Sequence, residues 1–284
     1  MVSRSSDAIP PPASVLAAFG VTETPIKFSM GRGQTWAADA LVLKPVDDEA
    51  EANWVAELVA KLPQRAFRLA SPVATRDGRW VAEGWSAWSR LEGEHSTTRW
   101  PELLAAVAAF HDAVAGVPKP EFIDRQGRAM ASPLGRWRVA DRIAWGETPV
   151  GNHLARVTHV APLLAARRTL DLPSQLIHGD LVGNVLFAEG LPPAIIDLSL
   201  YWRPVGYSAA LVVGDALTWE DASPEIVRLI EDHAEWPQLL LRAVLFRILV
   251  NELARRTEPW RADVSEEYRP TVALTLAAAR KTVR

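Results

Sequence analysis

Three polar residues near the middle of the chain have the types and the spacing that phosphoryl transfer needs. The segment HGDLVGNVLF at residues 178–187 contains Asp180 and Asn184, and Asp197 follows an apolar run soon after it. A carboxylate in a tight turn can accept the proton of a substrate hydroxyl. A second carboxylate and an amide oxygen are ligands that Mg²⁺ accepts beside water and phosphate. The alternative is that these are ordinary loop residues, because Asp, Asn and Gly favour turns.

A glycine pair and a lysine upstream favour the first interpretation. Gly31 and Gly33 flank a predicted turn between two strands, where main-chain N–H groups can approach phosphates closely. Lys44 ends the apolar run at residues 41–43, and burying a lysine without a partner is costly. Only five of the 31 basic residues are Lys, so Lys44 is interpreted as a compact cation that contacts phosphate. A strand-end lysine that reaches out to water is the alternative.

The predicted helix that follows offers an acidic partner for Lys44. Glu51 lies in the apolar stripe of this helix, with Val55 and Leu58 at the i+4 and i+7 positions. Glutamates that face solvent avoid such a stripe, so Glu51 is the candidate and Glu57, which lies off the stripe, is the second choice. The alternative for Glu51 is that it only stabilises the N-terminus of the helix.

The elements that must position these residues change in character along the chain. Strand patterns with one helix fill the first hundred residues, and helical patterns dominate after Gly93, apart from short apolar runs around the HGD segment. We therefore predict an α+β fold with two lobes. A small, β-rich N-lobe with one helix is expected at residues 21–91, and a larger, mostly helical C-lobe at residues 92–284. Residues 1–20 are expected to be a flexible tail.

Composition argues against several classes of protein. The net charge is −3 and no run of five or more basic residues occurs, so neither a nucleic-acid surface nor a polybasic membrane patch is expected. No apolar stretch reaches membrane-spanning length, and the first residues lack the apolar segment of a signal peptide. The chain has no cysteine, which excludes disulfides and thiolate metal sites. We expect a cytoplasmic protein with no nucleic-acid or membrane partner.

The motifs occur in an order that is typical of a known family. The chain contains, in this order, GRGQTW at residues 31–36, VLK ending at Lys44, a helix glutamate, HGDLVGN and IIDLS. This set resembles the aminoglycoside phosphotransferase family within the protein-kinase-like superfamily. The resemblance extends from Phe28 to Asp215, and its most specific part is HGD…N followed by IID.

The resemblance implies a role for each candidate residue. Asp180 would be the catalytic base, while Asn184 and Asp197 would hold Mg²⁺. His178 would orient the loop through hydrogen bonds, and Asp215 would fasten the loop from a C-lobe helix, unless it is a helix N-cap. The residues that would bind ATP are the two glycines that cover the phosphates, the lysine and its glutamate, and two hinge positions: Gly31, Gly33, Lys44, Glu51, Ser89 and Leu91.

Two departures from the family pattern keep a second function open. Three residues separate Asp180 from Asn184, where the family has four, and Leu198 and Ser199 follow Asp197 in place of an aromatic residue with Gly or Asp. We predict an ATP-dependent phosphotransferase that acts on a small hydroxylated molecule, such as an aminoglycoside-like compound, a sugar or an amino alcohol. The alternative is a catalytically weak, pseudokinase-like nucleotide-binding module. A protein kinase fits less well, since no APE-type segment follows Asp197.

Overall fold

The computed structural model describes residues 9–28, 34–124, 133–258 and 261–281. The strands in chain order are β1 (Ile26–Lys27), β2 (Trp36–Ala38), β3 (Leu41–Pro45), β4 (Arg68–Leu69), β5 (Pro72–Val73), β6 (Val81–Ala82), β7 (Trp85–Ser89), β8 (Gln175–His178), β9 (Val185–Leu186), β10 (Ala194–Ile195) and β11 (Leu200–Arg203). The helices are α1 (Ala13–Phe19), α2 (Glu49–Lys61), α3 (Trp100–Val114), α4 (Pro133–Trp145), α5 (Val160–Ala166), α6 (Val205–Trp219), α7 (Trp236–Thr257) and α8 (Arg269–Lys281). The predicted α+β class is confirmed.

The chain divides into two compact units. The first comprises Met1–Glu94 and Leu186–Ile196, and the second comprises His95–Val185 and Asp197–Arg284. The first unit is built on a six-stranded sheet in the order β1-β2-β3-β7-β5, with β6 paired to β7. Residues 36–45 form a hairpin of β2 and β3, because Asp39 adopts a left-handed conformation with φ of 51° and turns the chain.

The predicted flexible tail at residues 1–20 is wrong for the stretch that forms α1. Val15 and Phe19 lie one helical turn apart, and both are buried in a cluster with Leu43 and other side chains of the sheet. Pro12 precedes the helix, a position where proline is well tolerated, and Gly20 ends it in the left-handed conformation with φ of 73°. The prolines therefore mark the start of an anchored helix rather than a loose segment.

The segment at residues 186–196 also differs from the predicted C-lobe boundary. β10 pairs in parallel with β4, and the main-chain N–H of Glu94 donates to the carbonyl of Phe187 at 2.9 Å. The side chain of Arg68 reinforces this pairing, since its Nε donates to the carbonyl oxygen of Pro192 at 2.7 Å. These hydrogen bonds join the segment to the first unit, although the sequence assigned all of residues 92–284 to the C-lobe.

The second unit is organised around α7, which packs against α4, α5, α6 and α8. Leu240, Leu245 and Leu249 of α7 are fully buried, and most of α6 is buried as well. A two-stranded antiparallel sheet of β8 and β11 lies in the same unit, with His178 paired to Leu200. Among the described residues, no helix is both long enough and apolar enough to span a membrane.

Candidate active site

The loop that carries Asp180 begins at the end of the buried strand β8. Its first residue, Gly179, is tied to the strand pair by a hydrogen bond from its N–H to the carbonyl of Ser199 at 2.8 Å. A Cβ atom on Gly179 would lie 2.4 Å and 2.5 Å from two carbons of the Tyr201 ring. Glycine is therefore required at this position by packing, because the ring lies directly against the main chain.

His178 holds the turn together through hydrogen bonds. Its Nδ1 accepts from the main-chain N–H of Asp180 at 3.0 Å, and its carbonyl accepts from the hydroxyl of Ser208. Its own N–H donates to Nε2 of His111 at 3.3 Å. His178 is completely buried. These hydrogen bonds connect His178 to the turn that carries Asp180, and the resemblance implied an orienting role for it.

Arg247 of α7 bonds to the carboxylate of Asp180 and to that of Asp215 on α6. Its Nε and one terminal nitrogen (NH2) donate to the two oxygens of Asp215 at 2.8 Å and 2.5 Å, and the same NH2 donates to Oδ1 of Asp180 at 2.9 Å. Burial by itself would lower the pKa of Arg247, but the charges of Asp215 and Asp180 outweigh it and raise that pKa above the ordinary value. The loop is thus fastened to α6 through Arg247 as an intermediate.

Sequence reasoning selected Asp215 but missed Arg247. The signal was present, because Arg242 and Arg247 interrupt an otherwise apolar stretch at residues 239–250. A charge in the buried face of a helix requires an anionic or polar partner. Arg242 donates a hydrogen bond to the main-chain oxygen of Gln238 at 3.0 Å, whereas Arg247 forms ion pairs with two carboxylates.

Asn184 stays in contact with Asp180 although the loop is one residue short. Its Nδ2 donates to the main-chain oxygen of Asp180 at 2.8 Å and, more weakly, to Oδ2 at 3.3 Å. The short connection is closed by Gly183 at φ of 82° and by a turn hydrogen bond from the N–H of Asn184 to the carbonyl of Leu181 at 2.9 Å. These bonds use the nitrogen end of the amide, so its oxygen is the end left for a cation.

Asp197 lies at the same end of a strand pair as Asn184. β9 and β10 are neighbours in a three-stranded sheet, and their short connection at residues 187–193 requires an antiparallel pair. Asn184 directly precedes β9 and Asp197 follows β10. Asp197 is exposed and adopts a left-handed conformation with φ of 55°, which is uncommon outside glycine.

The donor set fits Mg²⁺ better than a metal that needs many protein ligands. Among the described residues, no group of three or more His, Cys, Asp or Glu side chains could hold a metal ion. A carboxylate and an amide oxygen, completed by water and phosphate, make up the kind of site that Mg²⁺ uses in phosphoryl transfer. Asn184, whose amide nitrogen bonds to Asp180, and the exposed Asp197 are the residues that could supply these two ligands.

Other predicted residues lie in the first unit or outside the described residues. Lys44 is half-buried in β3 opposite Ser86, and Glu51 is half-buried in the first turn of α2, where its N–H donates to Asp48 at 3.2 Å. Glu57, the second choice, is exposed. Gly31 and Gly33 fall outside the described residues.

The hinge positions differ in what their main chain can offer a ligand. The N–H of Ser89 donates to the carbonyl of Ser71, and the N–H of Arg90 donates to the carbonyl of Ala40, both at 2.8 Å. These two amides are therefore committed within the sheet. Leu91, the other predicted hinge residue, is half-buried just past β7.

The buried imidazole of His111 predicts a specific dependence of stability on pH. Burial, with a smaller effect of nearby His178 and His233, lowers the pKa of His111 to about 3 from 6.5. The unfolded chain therefore binds a proton below pH 6.5 that the folded protein does not bind, so the free energy of unfolding falls as the pH drops from 6.5 toward 3.

The variant His111→Gln tests this dependence, because glutamine keeps an acceptor for the His178 N–H and does not titrate. We expect its free energy of unfolding, measured by urea unfolding at a series of pH values, to fall less steeply with decreasing pH than that of the wild type. Parallel curves for wild type and His111→Gln contradict the prediction.

Comparison with solved structures places this geometry in a known fold. An aminopropanol kinase associated with a microcompartment matches with a TM-score of 0.58 and 15% identity, over 95% of this chain and 96% of that chain. An aminoglycoside phosphotransferase from Alicyclobacillus acidocaldarius matches with a TM-score of 0.56 and 15% identity, over 99% and 98%. A thermostable aminoglycoside phosphotransferase mutant, solved with AMP-PNP and hygromycin B, matches with a TM-score of 0.50 and 16% identity, over 95% and 96%. These likenesses confirm the two-lobed, protein-kinase-like fold.

Sequence comparison identifies the family. No curated protein matches the chain significantly in sequence. The family model described as the phosphotransferase enzyme family matches residues 34–242, most of the chain, including the HGD loop and Asp197. The resemblance expected from the motifs is therefore confirmed, and the chain belongs to the phosphotransferase enzyme family.

Proposed function

We propose that this protein is an ATP-dependent phosphotransferase that moves the γ-phosphoryl group to a hydroxyl of a small molecule. The observation that supports this most is the fixed geometry of the loop at residues 178–184. Arg247 holds one oxygen of the Asp180 carboxylate, and Asn184 lies against the other. A carboxylate that is positioned in this way can accept a proton from a hydroxyl without first having to reorganise.

The proposed reaction needs one proton acceptor and a site for the phosphates. The acceptor oxygen forms a bond to the γ-phosphorus while the bond from that phosphorus to the β,γ-bridging oxygen breaks, and ADP leaves. The hydroxyl proton passes to Asp180 and then to water. Mg²⁺, held by Asn184 and Asp197, would neutralise charge on the phosphate oxygens. The protein contributes position and electrostatics.

Nucleotide binding is proposed for the first unit and rests on the character of its residues. Lys44 would contact phosphate oxygens and Glu51 would position it, while Gly31 and Gly33 would bring main-chain N–H groups to the phosphates. Leu91, rather than Ser89, would offer its N–H to the base, since the Ser89 amide is used within the sheet. The neighbour solved with AMP-PNP supports a nucleoside triphosphate as donor.

A small acceptor fits the second unit better than a protein does. The residues that follow Asp197 form β11 almost at once, and α6 begins at Val205. Between Asp197 and Val205, where every residue is described, no segment remains that could act as the activation loop on which protein kinases dock their substrates. The aminopropanol kinase and the aminoglycoside phosphotransferases among the structural neighbours support a small hydroxylated acceptor.

Removal of the base should abolish transfer and leave nucleotide binding intact. Asp180→Asn keeps the size of the side chain but removes its basicity, so we expect no acceptor-dependent ATP consumption and a nearly unchanged affinity for Mg²⁺-ATP. The experiment is a panel of sugars, amino alcohols and aminoglycosides, assayed for ATP consumption above the background without acceptor. Asp171→Asn, which changes an exposed acid of the same unit, is the matched control and should behave as wild type.

Two results of this panel count against the proposal. Equal turnover of wild type and Asp180→Asn with the same acceptor excludes Asp180 as the base. If no acceptor raises ATP consumption by the wild type while Mg²⁺-ATP still binds, the pseudokinase-like binding module becomes the better description.

Lys44 can be tested by binding alone. Lys44→Ala should weaken Mg²⁺-ATP binding by about one to two orders of magnitude, in line with the loss of one charged contact. Calorimetry measures this directly, with Lys61→Ala as control because Lys61 is exposed at the end of α2. Equal affinity in wild type and Lys44→Ala removes Lys44 from the proposed site.

A further inference from the structure

Arg247 is held in one orientation from several sides. Asp215 receives two of its hydrogen bonds, at 2.8 Å and 2.5 Å, and Asp215 is itself buried. The guanidinium carbon lies 5.2 Å from the centroid of the Trp137 ring and 5.3 Å from that of Phe246. Arg247 is only 9% exposed. The position of the guanidinium is therefore set by the core of the second unit and not by the loop.

The Asp180 carboxylate is held unequally at its two oxygens. Oδ1 accepts a charge-assisted hydrogen bond from Arg247 at 2.9 Å, within the normal range for such bonds. Oδ2 is 3.3 Å from Nδ2 of Asn184, which is long for an N–H···O hydrogen bond. Oδ2 is therefore the oxygen with more capacity to accept a further proton or hydrogen bond.

We propose that Arg247 is a positioning residue for phosphoryl transfer: it binds Oδ1 of Asp180 and so directs Oδ2 toward the acceptor hydroxyl. The inference rests on the proposed function, and it assigns the base to one oxygen. In the reaction, the hydroxyl proton moves to Oδ2 as the acceptor oxygen bonds to the γ-phosphorus, while Oδ1 keeps its bond to Arg247. Without Arg247, the carboxylate could rotate, and Asp215 would keep a buried charge with no guanidinium beside it.

Lysine is a poor substitute at this position. The hydrogen bonds of Arg247 come from two nitrogens of a planar group and reach two different carboxylates. A lysine ammonium is a single charged nitrogen at the end of a flexible chain, so it cannot reproduce the planar arrangement of two donor nitrogens. Arg247→Lys should therefore retain the charge and lose much of the orientation.

The first test separates positioning from general structural support. Arg247→Met should lower kcat by about 10- to 1000-fold, the range for losing one oriented electrostatic group, and leave the KM for ATP within about threefold. Arg247→Lys should recover only part of kcat. Arg136→Met is the matched control, because Arg136 is another buried arginine of this unit, paired with Glu258 at 2.7 Å. It should lower thermal stability and leave kcat unchanged.

A second variant covers the case in which Arg247→Met does not fold. Arg247→Met combined with Asp215→Asn removes the buried, unpaired carboxylate and should restore folding without restoring kcat. The proposal is overturned if either folded variant has the wild-type kcat, or if Arg136→Met loses kcat to the same extent.

The contact itself can be tested without turnover, by a double-mutant cycle in urea with Arg247→Met and Asp180→Asn. The two changes should be non-additive by about tenfold or more in the equilibrium constant of unfolding. Additive effects overturn the proposal whether or not the wild type is active. Coupling without any acceptor-dependent turnover overturns the proposed function, and with it the catalytic part of this inference.

Discussion

Arg247 brings a positive charge into the interior of the second unit, where an unpaired guanidinium is strongly destabilising. Asp215 from α6 and Asp180 from the loop after β8 both form ion pairs with Arg247. This one charge on α7 therefore links the loop, α6 and α7. Two carboxylates and one guanidinium leave a single net negative charge beside the loop. Such a balance suits the role proposed for Asp180, which would accept a proton from a hydroxyl beside Mg²⁺.

Packing fixes the remaining freedom of the loop. The Tyr201 ring leaves no room for a side chain at Gly179, and the His178 imidazole accepts the N–H of Asp180. His111, buried behind it, must stay neutral to accept the N–H of His178. The Asp180 carboxylate, which we propose as the base, is thereby positioned before any ligand arrives, which is the condition under which electrostatic groups are most effective in catalysis.

Local sequence patterns were enough to predict the class of fold and the loop, because these depend on neighbouring residues. The run before HGD becomes β8, and the stretch at residues 49–61 becomes α2 with Asp48 as its N-cap. The contact between Arg247 and Asp180 spans 67 positions, and no local pattern specifies which carboxylate an arginine will meet. The pairing of β10 with β4 was missed for the same reason, since it joins residues far apart in the chain.

The helix α1 was missed for a different reason, since it does not depend on a contact between distant charged residues. Residues 1–20 were expected to be a flexible tail, although proline before a helix is favourable and the two apolar side chains Val15 and Phe19 lie on one face. Such a short amphipathic stretch is stabilised by packing and not by propensity, so only the tertiary structure reveals it.

The most direct test of the account is ³¹P NMR of the reaction mixture, which follows where the γ-phosphoryl group goes. With Mg²⁺-ATP and a suitable hydroxylated acceptor, the wild type should produce a phosphomonoester resonance of the acceptor together with ADP, and Asp180→Asn should produce none. If ATP instead yields only inorganic phosphate, or the phosphomonoester forms equally with Asp180→Asn, then this loop does not perform phosphoryl transfer to an acceptor hydroxyl and the account is wrong.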